Sequence, residues 1–459
     1  MPFARVAPVL ACAALISVRV ATLPASPAAP APPALYEGAR LIAGNGSAPI
    51  ENGAMLVRDG RIAAVGARGS IAVPPGSARV DLTGKTILPA FINVHVHIGY
   101  EGFASWGAAN HTPENILNHL ERQAFYGVGA TMTAGSNPTD ASRQFQADQR
   151  AGRFPPASQF LFMPGMAPPH GGPDHILLKA TSVLNAVSEV TTGREARDAV
   201  RRFAGLKLGH LKIWVDDRRG TYPKMPPAVY TAIIGEAHAH GIRVHAHAIT
   251  LADQKAVIRA GADVLVHTNG TERVDSELLA LIGEKKPYWI SLIGLGDRSE
   301  ACNGDTFVDQ SYPAATLEAI RAESCGARPP AAAARDETLR YNVRAMVDAG
   351  ARLVLGTDAG IFPRHAFGWS EHHEMARWVG LGLAPQEAIV AATSRPAELL
   401  GLSDLGTLAP GKRAHFVVLD ANPLDGIRHA RRIADVYLDG ARLDRTGLLE
   451  KWGKARSFR

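Results

Sequence analysis

From Leu211 to Gly401 short apolar runs alternate with amphipathic stretches, and this alternation narrows the folding options more than any other feature. "LKIWV" leads into "PPAVYTAIIGEAHAHG", and "RVHAHA" into "LADQKAVIRAG". "DVLVH" follows, and later "RLVLGTD" leads to "APQEAIVAATSRPAELLG". Such short apolar runs suit strands covered on both faces, and the stretches after them carry a helical period. Strands separated by helices pair in parallel, with each helix crossing over, and repeated units of this kind close a barrel. The predicted class is α/β: a TIM-like (β/α)8 barrel.

The two ends have a different texture. "ALYEGARLIAGNG", "GAMLVRDGRIAAVG" and "ARVDLTGKTILPAF" read as short strands broken by Gly and Asp-Gly turns, and "HFVVLDANPL" and "IADVYLDGARL" repeat that pattern. The expected division is a leader and Pro/Ala linker over 1–34 and a first β-sandwich part over 35–86. The barrel then covers 87–403, and the second sandwich part with a C-terminal tail covers 404–459. A chain of 459 residues accommodates this, since such a barrel takes about 250 residues. The polar insertion from Leu295 to Arg335 is long for a connection and reads as a lid or binding loop.

Arg5, the apolar run Ala7–Val18 and the Pro/Ala stretch Leu23–Pro33 have the layout of a secretory signal peptide. That run is shorter than the ~20 residues a spanning helix needs, so export to the periplasm or medium is expected, without stable membrane insertion. Cys302 and Cys325 are the cysteines left after the leader, and in an oxidising compartment they are a candidate disulfide. The net charge of +6 is carried by dispersed arginines rather than a basic stripe, which argues against nucleic acid as a partner. A homo-oligomer is compatible with this composition.

His95 and His97 end the run "TILPAFINVHVHIGY", and strand alternation turns both to one face. Alone the motif is weak. With 17 histidines in the chain, His-x-His arises by chance roughly 0.6 times. The series is stronger. Lys212 lies inside the apolar "HLKIWV", where an unpaired ammonium costs several kcal/mol. His245 falls in "RVHAH", His267 ends "ADVLVH", and Asp358 ends "RLVLGTD". Each lies at the strand end where barrel active sites are assembled. Histidine and carboxylate are standard Zn²⁺ ligands, so bound cations make sense of the cluster.

"GKTILPAFINVHVH", "LGTDAG" and "LGTLAPGKRAHFVVLDANP" resemble the first barrel strand, the eighth, and a C-terminal sandwich strand of the amidohydrolase superfamily. The likeness is to its imidazolonepropionase-like group, with Xaa-Pro dipeptidase-type and ochratoxin-type amidases. The resemblance implies that His95 and His97 hold a buried metal and that His245 and His267 hold a second. It implies that Lys212 carries a CO₂-derived carbamate bridging both, and that Asp358 is a ligand and handles protons. Two divalent ions follow, with zinc the default and a bridging hydroxide as nucleophile. His170 resembles a loop histidine that contacts substrate. Arg218 and Tyr222 follow the Lys212 strand and suit a carboxylate clamp, although surface solvation is the plainer expectation for Arg218 and Arg219. His247 suits a supporting donor, and His365, His372 and His373 the pocket rim. Ala90, Asn93 and His415 depart from the family's Gly, Asp and Asp.

The implied activity is cleavage of an amide, peptide-like or N-acyl bond in a small or dipeptide-like substrate. Alternatives are a mononuclear deaminase or cyclic-amide hydrolase, an esterase or lactonase, and a non-catalytic metal-binding envelope protein.

Overall fold

The computed structural model describes residues 32–453, apart from 103–104, 178, 219, 297–304, 325–330 and 362–364. The leader's apolar run, Arg219, Cys302 and Cys325 lie outside the described residues.

The N-terminal strands are β1 (Ala34–Leu41), β2 (Ile50–Arg58), β3 (Arg61–Ala67), β4 (Ala78–Asp81) and β5 (Thr86–Pro89). Asp59-Gly60 joins β2 to β3 with φ of 51° and 71°. Positive φ at both central residues is what a two-residue hairpin matched to strand twist requires. The parallel strands follow: β6 (Phe91–Val96), β7 (Val128–Thr133), β8 (Gln159–Leu161), β9 (Gly165–Ala167), β10 (Val187–Glu189) and β11 (His210–Trp214). They continue as β12 (Arg243–His247), β13 (Val264–Val266), β14 (Tyr288–Ile290) and β15 (Arg352–Val354). The chain ends with β16 (Phe416–Leu419), β17 (Ile433–Leu438) and β18 (Ala441–Arg442).

The two termini share one eight-stranded sheet, ordered β18-β17-β16-β5-β1-β2-β3 with β4 beside β1. The pairing of β5 with β16 joins them. Tyr36, Met55, Ile87, Phe416 and Tyr437 fill its core. Tyr36 meets the Phe416 ring edge-on at 5.1 Å, a favoured aromatic geometry.

The parallel strands form one sheet ordered β6-β7-β8 and another ordered β10-β9-β11-β12-β13-β14-β15. Only Phe162–Pro164 separates β8 from β9, and the Lys212 N–H donates to Pro164 O at 2.9 Å. At the far edge the Val94 N–H donates to Leu355 O at 2.8 Å, and that of His97 to Ala359 O at 2.8 Å. Backbone hydrogen bonds thus link the segment that follows β15 to β6 and its end. Strands β6, β7, β13 and β14 are buried end to end, as expected for parallel strands covered on both faces. Local signals also mark where a helix begins. Thr192 and Glu195 form a reciprocal capping box at the start of the helix Gly193–Gly205.

The insertion differs from the polar loop expected. It contains the helix Ala314–Ser324 and buries Phe307, Val308, Tyr312 and Leu317. The Tyr312 hydroxyl accepts the Phe367 N–H at 2.7 Å. Hydrophobic side chains spaced among the polar residues tie this segment to the core. Two of the departures share one accommodation. A Cβ on Gly129 would lie 2.8 Å from the Ala90 methyl and 3.1 Å from His415 Nδ1, so glycine there makes room for both.

Candidate metal centre

His95, on β6, and His97, just beyond it, are both buried. Asp358, just beyond β15, brings Oδ1 to 2.8 Å from His95 Nε2 and 3.2 Å from His97 Nε2. One donor atom from each of the three lies within 4.8 Å of the others. Around a tetrahedral ion with bonds of about 2.0–2.1 Å, neighbouring donors sit roughly 3.4 Å apart, so this set fits a cation with small shifts. Asp358 adopts φ of 57° and His267 φ of 79°. Left-handed backbone at a non-glycine residue costs about 1–3 kcal/mol and recurs where a side chain must be aimed.

Lys212 is 1% exposed. Its Nζ lies 3.4 Å from His95 Nε2 and 5.3 Å from the centre of the Trp214 ring. Burial pushes the ammonium down to about 7, against an opposing pull from Asp358. Burial, then the Lys212 charge, pushes the His95 imidazole down to about 4. Burial alone would raise the Asp358 carboxyl, but His95 and His97 hold it well below the usual carboxylate range. The cluster therefore combines an ionised carboxylate, neutral imidazole and a readily neutralised amine, all suited to cation binding.

The second pair of imidazoles departs from the expectation. His267 Nε2 lies 2.7 Å from Nδ1 of His247, not of His245. His245 instead turns its Nε2 toward His210 Nδ1 at 3.1 Å. Its Nδ1 is buried with no hydrogen-bond partner among the described residues. Register explains the difference. His245 pairs with Lys212 and Val264, and His247 with Trp214 and Val266. His247 therefore sits one inward-facing layer closer to His267, which follows Val266.

Burial, then the Arg218 charge, holds His247 well below the usual imidazole range, and burial followed by His247 does the same to His267. His247 Nε2 meets Arg218 Nη1 at 2.6 Å and Asp216 Oδ1 at 3.1 Å.

His170, Tyr222 and Arg218 come together beyond β9 and β11. The His170 and Tyr222 rings are 6.4 Å apart, and Arg218 donates to Gly171 O at 3.2 Å. His170 is exposed, with φ of 61°. Arg218 is not solvated as expected. Its side chain is 9% exposed and paired with Asp216 at 3.0 Å. His372 and His373 do not line a rim. Both are buried in the helix Trp369–Gly380, where His372 donates to Tyr126 O at 2.9 Å. His365 Nε2 lies 3.1 Å from Leu295 O.

Sequence reading passed over Ser136, Asp216 and His210. Ser136 Oγ lies 2.7 Å from His97 Nδ1. Asp216 shares the alternation of Lys212 and Trp214, and that signal was available in "LKIWVDD".

Residues 86–443 match the Amidohydrolase family. The chain is 25% identical to an imidazolonepropionase of Salinispora arenicola over 406 residues, covering 83% of this chain and 89% of the relative. It is 27% identical to one from Deinococcus radiodurans over 409 residues, covering 86% and 92%. Among solved structures, molinate hydrolase superposes with a TM-score of 0.72 at 23% identity, covering 91% of this chain and 96% of that one. A Xaa-Pro dipeptidase with bound methionine in its active site superposes with a TM-score of 0.71 at 22% identity, covering 90% and 99%. The two structures share the fold with this chain. With its metal-ligand cluster at the ends of parallel strands, the chain belongs to the amidohydrolase family. It is a hydrolase acting on carbon–nitrogen bonds.

Proposed function

We propose that this chain is a two-ion hydrolase that cleaves an amide, peptide-like or N-acyl bond in small substrates. The supporting observation is the position of Lys212. It is buried against His95 of the His95–His97–Asp358 set, and its charge also reaches His247 and His267. A bare ammonium there would face a second positive charge from every ion bound. A neutral amine reacts with CO₂ to give a carbamate and a proton, and the carbamate brings a negative charge with two ligand oxygens. Burial that lowers the ammonium toward neutrality supplies the reactive amine. Two divalent ions would bring four positive charges, of which the carbamate, Asp358 and a hydroxide would offset three, and a net of about +1 is tolerable in a buried site.

In this reading His95, His97 and Asp358 hold one ion and His267 with His247 holds the other. Zinc is the default for such nitrogen and oxygen donors. Divalent ions of this kind supply an activated water and polarise the scissile carbonyl. The protein's part is positional and protolytic. Asp358, ionised and near the centre, accepts the proton of the attacking water and passes it to the leaving nitrogen. His170 and Tyr222, whose rings lie 6.4 Å apart, would contact the substrate. Arg218 is engaged by Asp216, which leaves it a weaker carboxylate clamp than a free guanidinium.

The parallel strands read best as a closed eight-stranded barrel. Gln159–Ala167 acts as one bent strand, and the Val94–Leu355 bond joins the ends. The terminal sheet is its sandwich module. Export through the N-terminal leader and a Cys302–Cys325 disulfide complete the proposal.

The test is turnover of N-acyl amino acids, dipeptides and aryl esters by zinc-reconstituted protein, with Lys212→Ala as control. Amide turnover lost in the control is expected. Equal turnover by the control would reject the bridged centre.

A further inference from the structure

We propose that Asp216 is a positioning residue for the second ion, fixing His247 in the one tautomer that can bind it. The inference rests on the two-ion reading above. His247 Nδ1 faces His267 Nε2 at 2.7 Å, so these two nitrogens are the ones a shared cation would take. Around a tetrahedral ion they would sit roughly 3.4 Å apart, so the pair must open by less than about 1 Å. A coordinating Nδ1 carries no proton, and a neutral imidazole then keeps its proton on Nε2.

That proton has two neighbours of opposite character. Arg218 Nη1, at 2.6 Å, only donates. Asp216 Oδ1, at 3.1 Å, only accepts when ionised. An Nε2–H therefore needs Asp216 and must turn away from Arg218. Without an ion the opposite arrangement is open, in which Arg218 donates to Nε2 and the His247 Nδ1–H points at His267. Loading thus exchanges one donor on His247 for another, and Asp216 is the acceptor that makes the loaded state available. Asp216 is equipped for this. It is 5% exposed, follows Lys212 and Trp214 in inward alternation, and its Oδ1 also lies 3.0 Å from Arg218. Arg218 also donates to Asp216 Oδ2 at 3.3 Å, so the guanidinium retains a partner after releasing His247. A carboxylate behind a metal-bound histidine commonly sets its orientation, and its removal lowers metal affinity by about 10–100-fold.

The test combines a zinc titration against a competing chelator with nitrogen-15 NMR of the histidine rings, both on the full chain. In the wild-type protein two ions are expected, with the His247 proton on Nε2 in the loaded form. Asp216→Asn should leave the tighter ion unchanged and weaken the second by about 10–100-fold, with partial recovery in Asp216→Glu. A wild-type spectrum with the His247 proton on Nδ1 at two-ion saturation would overturn the proposal while sparing the two-ion reading. So would an Asp216→Asn titration identical to wild type. Wild-type protein that saturates at one ion would instead remove the two-ion reading, and this inference with it. The wild-type spectrum needs no variant, so a poorly folding Asp216→Asn does not block the test.

Discussion

The side-chain amide of Asn93 donates to the buried carboxyl group of Glu371, while its Oδ1 accepts the His95 backbone N–H at 2.9 Å. The same amide donates to Thr357 Oγ1 at 2.9 Å. Asn93 therefore binds the first metal-ligand strand to the helix Trp369–Gly380, and its donor group is what Glu371 needs. Burial raises the Glu371 carboxyl, against hydrogen bonds from Gln123 and Asn93. The asparagine that departs from the family's aspartate is thus matched to a neighbouring acid.

Asn93→Asp sets two carboxyl groups against each other in a dry site. Leaving a buried charge or acceptor unsatisfied costs about 3 kcal/mol. Urea unfolding at pH 8 should register that loss, and it should shrink at pH 5, where one carboxyl can keep its proton and donate. Adding Glu371→Gln should restore most of the stability. An additive double variant would show that the two side chains do not interact.

Ser136 holds His97 from behind through the 2.7 Å contact to Nδ1. Ser136→Ala should lower affinity for the first ion about 10–100-fold with little change in fold stability, as read by chelator competition and thermal melting. Unaltered affinity would assign Ser136 a packing role alone.

Lys212→Met tests burial against function. In chelator-treated protein the change should leave stability equal or raise it, because a buried amine is replaced by an apolar chain of similar length. Metal analysis of the same variant should find the second ion lost. A melting temperature well below that of the metal-free wild type would mean the amine stabilises the fold itself.

Stability of the metal-free protein should fall with acid. The His95 imidazole is depressed to about 4, and His119 to about 3, in both cases mainly by burial. With the unfolded value near 6.5, the unfolded chain binds more protons below that pH. The stability from neutral burial is complete above about 6.5 and drains away as pH falls toward 4. For His95 alone the loss is roughly 3 kcal/mol. Urea midpoints at pH 7.5, 6 and 5 should decline in that order. A flat series would mean that these rings are hydrated.

Much of this was legible in the sequence because strand alternation and strand-end position are one-dimensional. His95, His97, Lys212 and Asp358 each follow from those two rules, and the structure brings them together. The choice between His245 and His247 was not legible. Both face inward, and only the register of β12 on β13 decides which reaches His267. Arg218 shows a second limit. After a strand an arginine reads as solvated, and its burial depends on His247 and Gly171 arriving from two other segments to join Asp216 on its own. The insertion shows a third, since Phe307 and Tyr312 find their partners far away in sequence, at Tyr126 and Phe367.

The most direct measurement is an anomalous-scattering map of crystals grown with zinc and bicarbonate. Two peaks should appear, one at His95, His97 and Asp358 and the other at His247 and His267, with density continuing from Lys212 Nζ to both. A single peak beside an unmodified Lys212 amine would contradict the bridged two-ion centre.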